Sequence, residues 1–123
     1  MWKNYKAIIY PRISLSEERG LISKAQKGSQ KSRDEIILRH IRFLIFRIRK
    51  LVFPHLLHSY GEDLLQETIL IIYAKIEQYN LNYCNDEGEL HPVRFSSYIW
   101  KRIDGYIIDF LKKELKTVNY YSE

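Results

Sequence analysis

The chain has 123 residues, 46% of them apolar, with five glycines, three prolines and a net charge of +5. That is enough for one modest core and excludes both disorder and two ordinary domains. One cysteine, Cys84, excludes an internal disulfide, and the longest apolar run, residues 69–74, is far too short to cross a bilayer.

No short apolar stretch with a small-residue cleavage site opens the sequence, so a cytoplasmic protein is expected. The basic balance favours an anionic partner, nucleic acid before membrane surface. Composition and spacing predict an all-α fold, a compact bundle of about four helices. The expected organisation is an N-terminal arm over residues 1–15, a helical domain over 16–116 and a tail over 117–123.

Residues 1–13 mix Trp2, Tyr5, Ile8, Ile9 and Tyr10 with Lys3, Lys6 and Arg12, and Pro11 stops any helix from running on. The aromatics suit an arm laid over the core, and the cations leave a DNA-contacting arm open. Ser14 and Glu17 then have capping-box spacing, with Ser16 an alternative cap. Leu21, Ile22 and Ala25 give a short amphipathic helix, a lid on the core, that ends near Gly28.

From about Ser32, the set Ile36, Ile37, Ile41, Leu44, Ile45, Ile48, Leu51 and Val52 keeps helical spacing until Pro54. Its outer side carries Arg39, Arg42, Arg47, Arg49 and Lys50, which read either as a solvated face or as a phosphate track. Ser59 and Glu62 again have capping-box spacing and predict a helix from about Tyr60 to Gln78. Its acidic first turn, Glu62 and Asp63, would suit the helix dipole. Leu64, Leu65, Ile69, Leu70, Ile71, Ile72, Tyr73 and Ile76 surround its middle. A helix apolar on more than one side sits deep in a core or meets a partner.

Residues 79–92, YNLNYCNDEGELHP, form a long connection, and connections of that length in a compact domain are usually functional or disordered. The last helix is predicted over residues 95–113. Phe95, Tyr98, Ile99, Arg102, Ile103, Tyr106, Ile107, Phe110 and Leu111 mark its buried face. Ser97, Trp100, Lys101, Asp104, Ile108 and Lys112 fall on its flank and back. Cations beside an exposed ring are what a nucleic-acid surface needs, charge for phosphates and a flat face for unstacked bases. A polar tail with Tyr120 and Tyr121 is expected to fray.

Three segments in this order resemble region 2 of the bacterial sigma-70 factors. LISKAQKGS (21–29) resembles the family's opening helix and glycine turn, and DLLQE (63–67) its Asp-Leu-Ile/Val-Gln-Glu segment. FSSYIWKRIDGYIIDFLKK (95–113) ends like the Ile-Asp-Tyr-Leu-Arg-Arg of the extracytoplasmic-function type. The likeness runs from about Ser16 to Glu114.

The resemblance implies a transcription initiation protein that docks on the coiled coil of the β′ subunit of RNA polymerase core. It also implies recognition of the minus-ten promoter element and a hold on its unpaired non-template strand. Carried over, Asp63, Leu64, Gln66 and Glu67 are polymerase-binding candidates, and Tyr98, Trp100, Lys101, Arg102 and Asp109 are DNA-binding candidates. Tyr98 and Arg102 serve the core equally well on spacing alone. Primary factors carry a tryptophan pair where this chain has Lys101 and Arg102, a departure that resembles the alternative factors.

Taking bases out of the stack costs a few kcal/mol per step, and an aromatic platform returns about 1 to 3 kcal/mol per base. Asn82, Tyr83, Asn85 and His91 offer donors, acceptors and a ring for a captured base. Trp100 also reads as packing against the arm, and Asp63, Gln66 and Glu67 as helix-start electrostatics. Sigma factors usually continue into a helix-turn-helix domain that reads the minus-thirty-five element, and nothing after Glu114 could fold into one. A separate region-4-like subunit is therefore expected to supply that contact. A competing reading is a sigma-like module that occupies polymerase or an anti-sigma factor without reading promoter DNA, and a third is a basic protein binding nucleic acid nonspecifically.

No cofactor, metal or catalytic centre is expected. Cys84, Asp86 and His91 fall short of the four-ligand spacing of structural zinc, and Glu62 with Glu67 lack a nucleophile or phosphate loop. His40, His55 and His58 read as packing or surface histidines.

Overall fold

A computed structural model describes residues 10–122, with side chains through Leu115; the expected arm residues Trp2, Lys3, Tyr5, Lys6, Ile8 and Ile9 lie outside the described residues. Among the described residues four helices follow in order: α1 (Leu15–Gln26), α2 (Gln30–Leu51), α3 (Pro54–Gln78) and α4 (Phe95–Ser122). Helices α2 and α3 are the central pair, and α1 and α4 each pack against both. The fold is an all-α bundle.

The start of α1 is a reciprocal cap. Ser14 Oγ accepts from the Glu17 N–H at 3.1 Å, and Glu17 Oε1 accepts from the Ser14 N–H at 3.3 Å. The helix ends at Gly28, whose φ of 107° is a conformation that side-chain-bearing residues avoid. Ser29 then caps α2, its Oγ accepting from the Ser32 N–H at 3.2 Å, so α2 begins just before the expected Ser32.

Helix α3 begins well before the expected Tyr60. Only Val52 and Phe53 separate it from α2, and Pro54 both ends the one and opens the other. Proline suits a first helical turn, where its missing N–H has no bond to make. Ser59 and Glu62 therefore lie inside the helix rather than at its cap, and Glu62 and Asp63 stand about two turns beyond the positive dipole end. At the other end, Gln26 of α1 donates its side-chain amide to the carbonyls of Ile76 (2.9 Å) and Tyr79 (2.7 Å). Carbonyls that a helix C-terminus leaves orphaned are thereby satisfied from a neighbouring element.

Helix α4 buries Phe95, Ile99, Ile103, Ile107 and Leu111, one residue per turn. Tyr98, Tyr106 and Phe110 are half-buried beside that row, but Arg102 is exposed, a correction to its place on the expected core face. It shares the i, i+4 row of Tyr98, Tyr106 and Phe110 at the margin of the contact, where a guanidinium stays in water because burying an unpaired charge is costly. The backbone stays helical through Ser122, past the boundary expected at 116 and through the expected fraying tail. No glycine or proline interrupts residues 112–122, so no residue there breaks the helix.

The connection from α3 to α4 is ordered by its own polar groups. Tyr83 and His91 are joined backbone to backbone at 2.9 Å, Cys84 and Leu90 form an isolated antiparallel bridge, and Gly88 turns with φ 80°. The Asn85 side-chain oxygen accepts from the Glu87 and Glu89 N–H groups at 3.0 and 2.9 Å. Arg19 of α1 donates to the Leu81 carbonyl and the buried Tyr79 donates to the Val93 carbonyl, tying both ends down. Among the described residues, no helix is long and apolar enough to cross a membrane.

Candidate nucleic-acid interface

The outer side of α4 is organised by a partner on α2. Arg47 donates from Nε to Asp104 Oδ1 at 3.0 Å and from Nη2 to Asp104 Oδ2 at 2.6 Å, with side-chain exposures of 8% and 19%. Trp100 Nε1–H donates to the same Oδ2 at 2.9 Å. The Arg47 guanidinium lies 4.8 Å from the Trp100 ring centroid, and Phe43 meets that ring edge-on at 5.9 Å. The indole is thus fixed by hydrogen bond, by a cation over its ring and by aromatic contact, while 45% of the residue stays exposed.

Beside it, Ser97, Trp100, Lys101, Asp104, Gly105 and Ile108 line an open groove of about 510 Å³. Lys101 and Lys112 are exposed along this side, and so is Ile108. Gly105 leaves the floor low, since nothing lies within 4 Å of where its Cβ would stand.

The other candidates on α4 do not share this groove. At about 100° per residue, Arg102 and Asp109 fall roughly half a turn around the helix from Trp100. Both are exposed there, and Arg102 lies on the flank where Glu67 of α3 and Arg102 both act on the Tyr106 phenol. Burial is the main force raising that phenol's pKa.

A second concavity, about 390 Å³, is lined by Tyr79, Asn80, Tyr83, His91, Val93 and Tyr98. Tyr79 and Tyr98 meet edge to face at 5.3 Å, Tyr83 and His91 at 6.3 Å, and the Lys75 ammonium stands 5.4 Å from the Tyr98 ring centre. Burial, then the neighbouring Tyr79, raises the Tyr98 phenol pKa, so it stays a neutral hydrogen-bond donor. The structure brings Tyr83, His91 and Tyr98 together here. Asn82 is exposed outside this lining, and Asn85 spends its side-chain oxygen on the turn, which removes that acceptor from the expected base contacts.

On α3, Asp63, Gln66, Glu67 and Leu70 are exposed along one side. Leu64 is fully buried, so it cannot meet another protein and leaves the set of docking candidates. Leu70, with 59% of its surface exposed, takes up the apolar role on that face. Its signal in the sequence was the surplus of apolar residues around the middle of α3.

The expected cationic row on α2 is shorter than the sequence suggested. Arg47 is buried against Asp104, and Arg39 donates to Glu35 (3.0 Å) and to the Pro11 carbonyl (2.8 Å) under the ring of Tyr10. Arg42, Arg49 and Lys50 remain exposed, with Phe46 among them at 56%. His40 packs edge-on against Phe95 at 5.1 Å, and its Nδ1–H donates to the Ile36 carbonyl at 2.7 Å. Burial holds its pKa below the ordinary 6.5. His55, stacked on Phe53, and His58 are exposed. Cys84 Sγ–H donates to the Asn82 carbonyl at 3.3 Å, and among the described residues no three His, Cys, Asp or Glu side chains gather as metal ligands would.

No family model, curated protein or solved structure matches the chain. The class defined by fold and surface is an all-α bundle presenting a fixed, half-exposed indole beside cations on one helix and an acidic, leucine-bearing side on another.

Proposed function

We propose that the chain is a sigma-factor-like transcription initiation protein of the bacterial cytoplasm, which works by binding rather than catalysis. The exposed side of α3, with Asp63, Gln66, Glu67 and Leu70, meets the β′ coiled coil of RNA polymerase core. The groove of Trp100 and Lys101 and the Tyr83–His91–Tyr98 cavity hold the unpaired non-template strand of the minus-ten element. The observation that carries this reading is Trp100: a large indole kept half in solvent by Asp104 and Arg47, next to Lys101. An aromatic face held in place beforehand loses little freedom when a base stacks on it.

The cavity suits the second task in size and chemistry. Its volume lies within the ~300 to 1,000 Å³ typical of small-molecule sites, and its walls offer rings, a phenol donor and an imidazole. A flipped base there would be read by shape and by hydrogen bonds to its edge.

The test uses purified bacterial core polymerase and the full chain. Co-elution of the two, followed by sequence-selective retention of single-stranded minus-ten oligonucleotides, is the expected result. Absence of co-elution at low salt overturns the reading. Co-elution with no retained oligonucleotide would leave polymerase docking and remove promoter reading.

A further inference from the structure

We infer that the strand-binding surface does not end at Trp100 but crosses to α2, where Phe46, flanked by Arg42 and Lys50, is a second stacking platform for single-stranded nucleic acid. The inference rests on the reading of α4 as a strand-holding helix. Arg47 is the physical link. Its guanidinium lies 4.8 Å from the Trp100 ring centre and 5.8 Å from that of Phe46, so one fixed cation stands between two exposed rings. Rings on either side of one guanidinium are within reach of neighbouring nucleotides on an extended strand.

The surroundings point to a phosphate-bearing partner. Arg42, Phe46 and Lys50 follow at i, i+4 and i+8 and so share one side of α2. All three are exposed, and residues 36–51 hold five cations and no carboxylate. The Lys50 ammonium stands 5.8 Å from the Phe46 ring centre. A base arriving on the ring would meet a cation already placed for the adjoining phosphate, and the flexible lysine stem can follow it. A duplex hides its base faces inside the stack, so only unpaired bases can use both rings. The Asp104 carboxylate does not oppose this, because Arg47 and Trp100 already occupy it.

The test is fluorescence anisotropy of labelled oligothymidylate and of a labelled duplex of equal length, with the full chain and no polymerase. Phe46→Ala is expected to weaken the single-strand complex about five- to tenfold, with Phe46→Tyr close to the parent and duplex binding unchanged. Crosslinking with 5-iodouracil substituted into the strand should place the adduct on Phe46 as well as on Trp100. Because Phe46 is mostly in solvent, an unchanged thermal melt is expected to show that Phe46→Ala still folds.

The inference is overturned if Phe46→Ala binds the strand like the parent while Trp100→Ala does not, for then the strand stays on α4. It is also overturned if Phe46→Ala instead abolishes polymerase co-elution with strand binding intact, which would make the patch a protein contact. Loss of strand affinity in Phe46→Ala, in a chain that never co-elutes with polymerase, upholds the platform and sinks only the initiation reading.

Discussion

Arg47 and Asp104, 57 residues apart in sequence, are joined at two points, 3.0 and 2.6 Å, and that ion pair clamps α2 to α4 directly beneath Trp100. Breaking it from one side leaves a largely buried charge alone. Arg47→Ala or Asp104→Ala is expected to lower unfolding free energy by about 2 kcal/mol, below the ~3 to 5 kcal/mol of a fully buried pair because Asp104 is partly hydrated. Urea unfolding measures this. The double replacement Arg47→Met with Asp104→Leu should recover most of the loss, since it removes both charges.

Trp100 separates stacking from anchoring. Trp100→Phe keeps a ring but loses the Nε1–H that Asp104 accepts, and Trp100→Ala loses both. Single-strand affinity is expected to fall about tenfold for the alanine variant and less than about threefold for the phenylalanine variant. Equal losses in the two would mean that the bond to Asp104, rather than the ring face, matters for binding.

On α3, Leu70→Asp puts a charge at a mostly exposed position, so stability should stay within about 0.5 kcal/mol of the parent. Polymerase co-elution should nevertheless fall more than about tenfold, as when an interface loses an apolar anchor. Gln66→Ala, also at an exposed position, should act in the same direction. Full retention of co-elution by both variants would remove this side of α3 from the proposal.

His40 predicts a pH dependence of stability. Burial holds its folded pKa below 6.5, so as pH falls through 6.5 the unfolded chain takes up a proton that the folded chain refuses. Its contribution is therefore intact above that value and declines below it, with a slope of at most about 1.4 kcal/mol per pH unit. Chemical denaturation at stepped pH should show the decline between neutral pH and the lowered folded pKa. His40→Gln should flatten it.

Gly20 offers a gain instead of a loss. It lies inside α1, exposed, with nothing within 4 Å of the space a methyl group would fill. Gly20→Ala should stabilise the fold by about 0.5 to 1 kcal/mol without touching any candidate surface, measured as a raised thermal midpoint.

The helices were legible because apolar residues repeat at helical spacing and because Ser14, Gly28 and Pro54 punctuate the chain. The start of α3 is hidden in the sequence because Ser59 and Glu62 imitate a cap, and because a proline that ends one helix can begin the next. On α4, the sequence pointed to Trp100 and Lys101 as a surface, but a helical wheel cannot say that Arg47 would leave its row to hold the indole. That partnership is a tertiary fact between distant residues. Phe46, an aromatic set among cations, is a readable sign of a surface ring, and Leu64 shows a motif residue whose spacing belongs to the core.

The Glu18 carboxylate on α1 accepts the Phe95 N–H at 2.6 Å, across 77 residues of chain. That bond satisfies, from another helix, one of the N–H groups that the start of α4 leaves without an intrahelical partner. On a ribosome, the segment bearing Glu18 emerges first and must wait for Phe95, so the groove of Trp100 and Lys101 takes shape only after the first three described helices have been made.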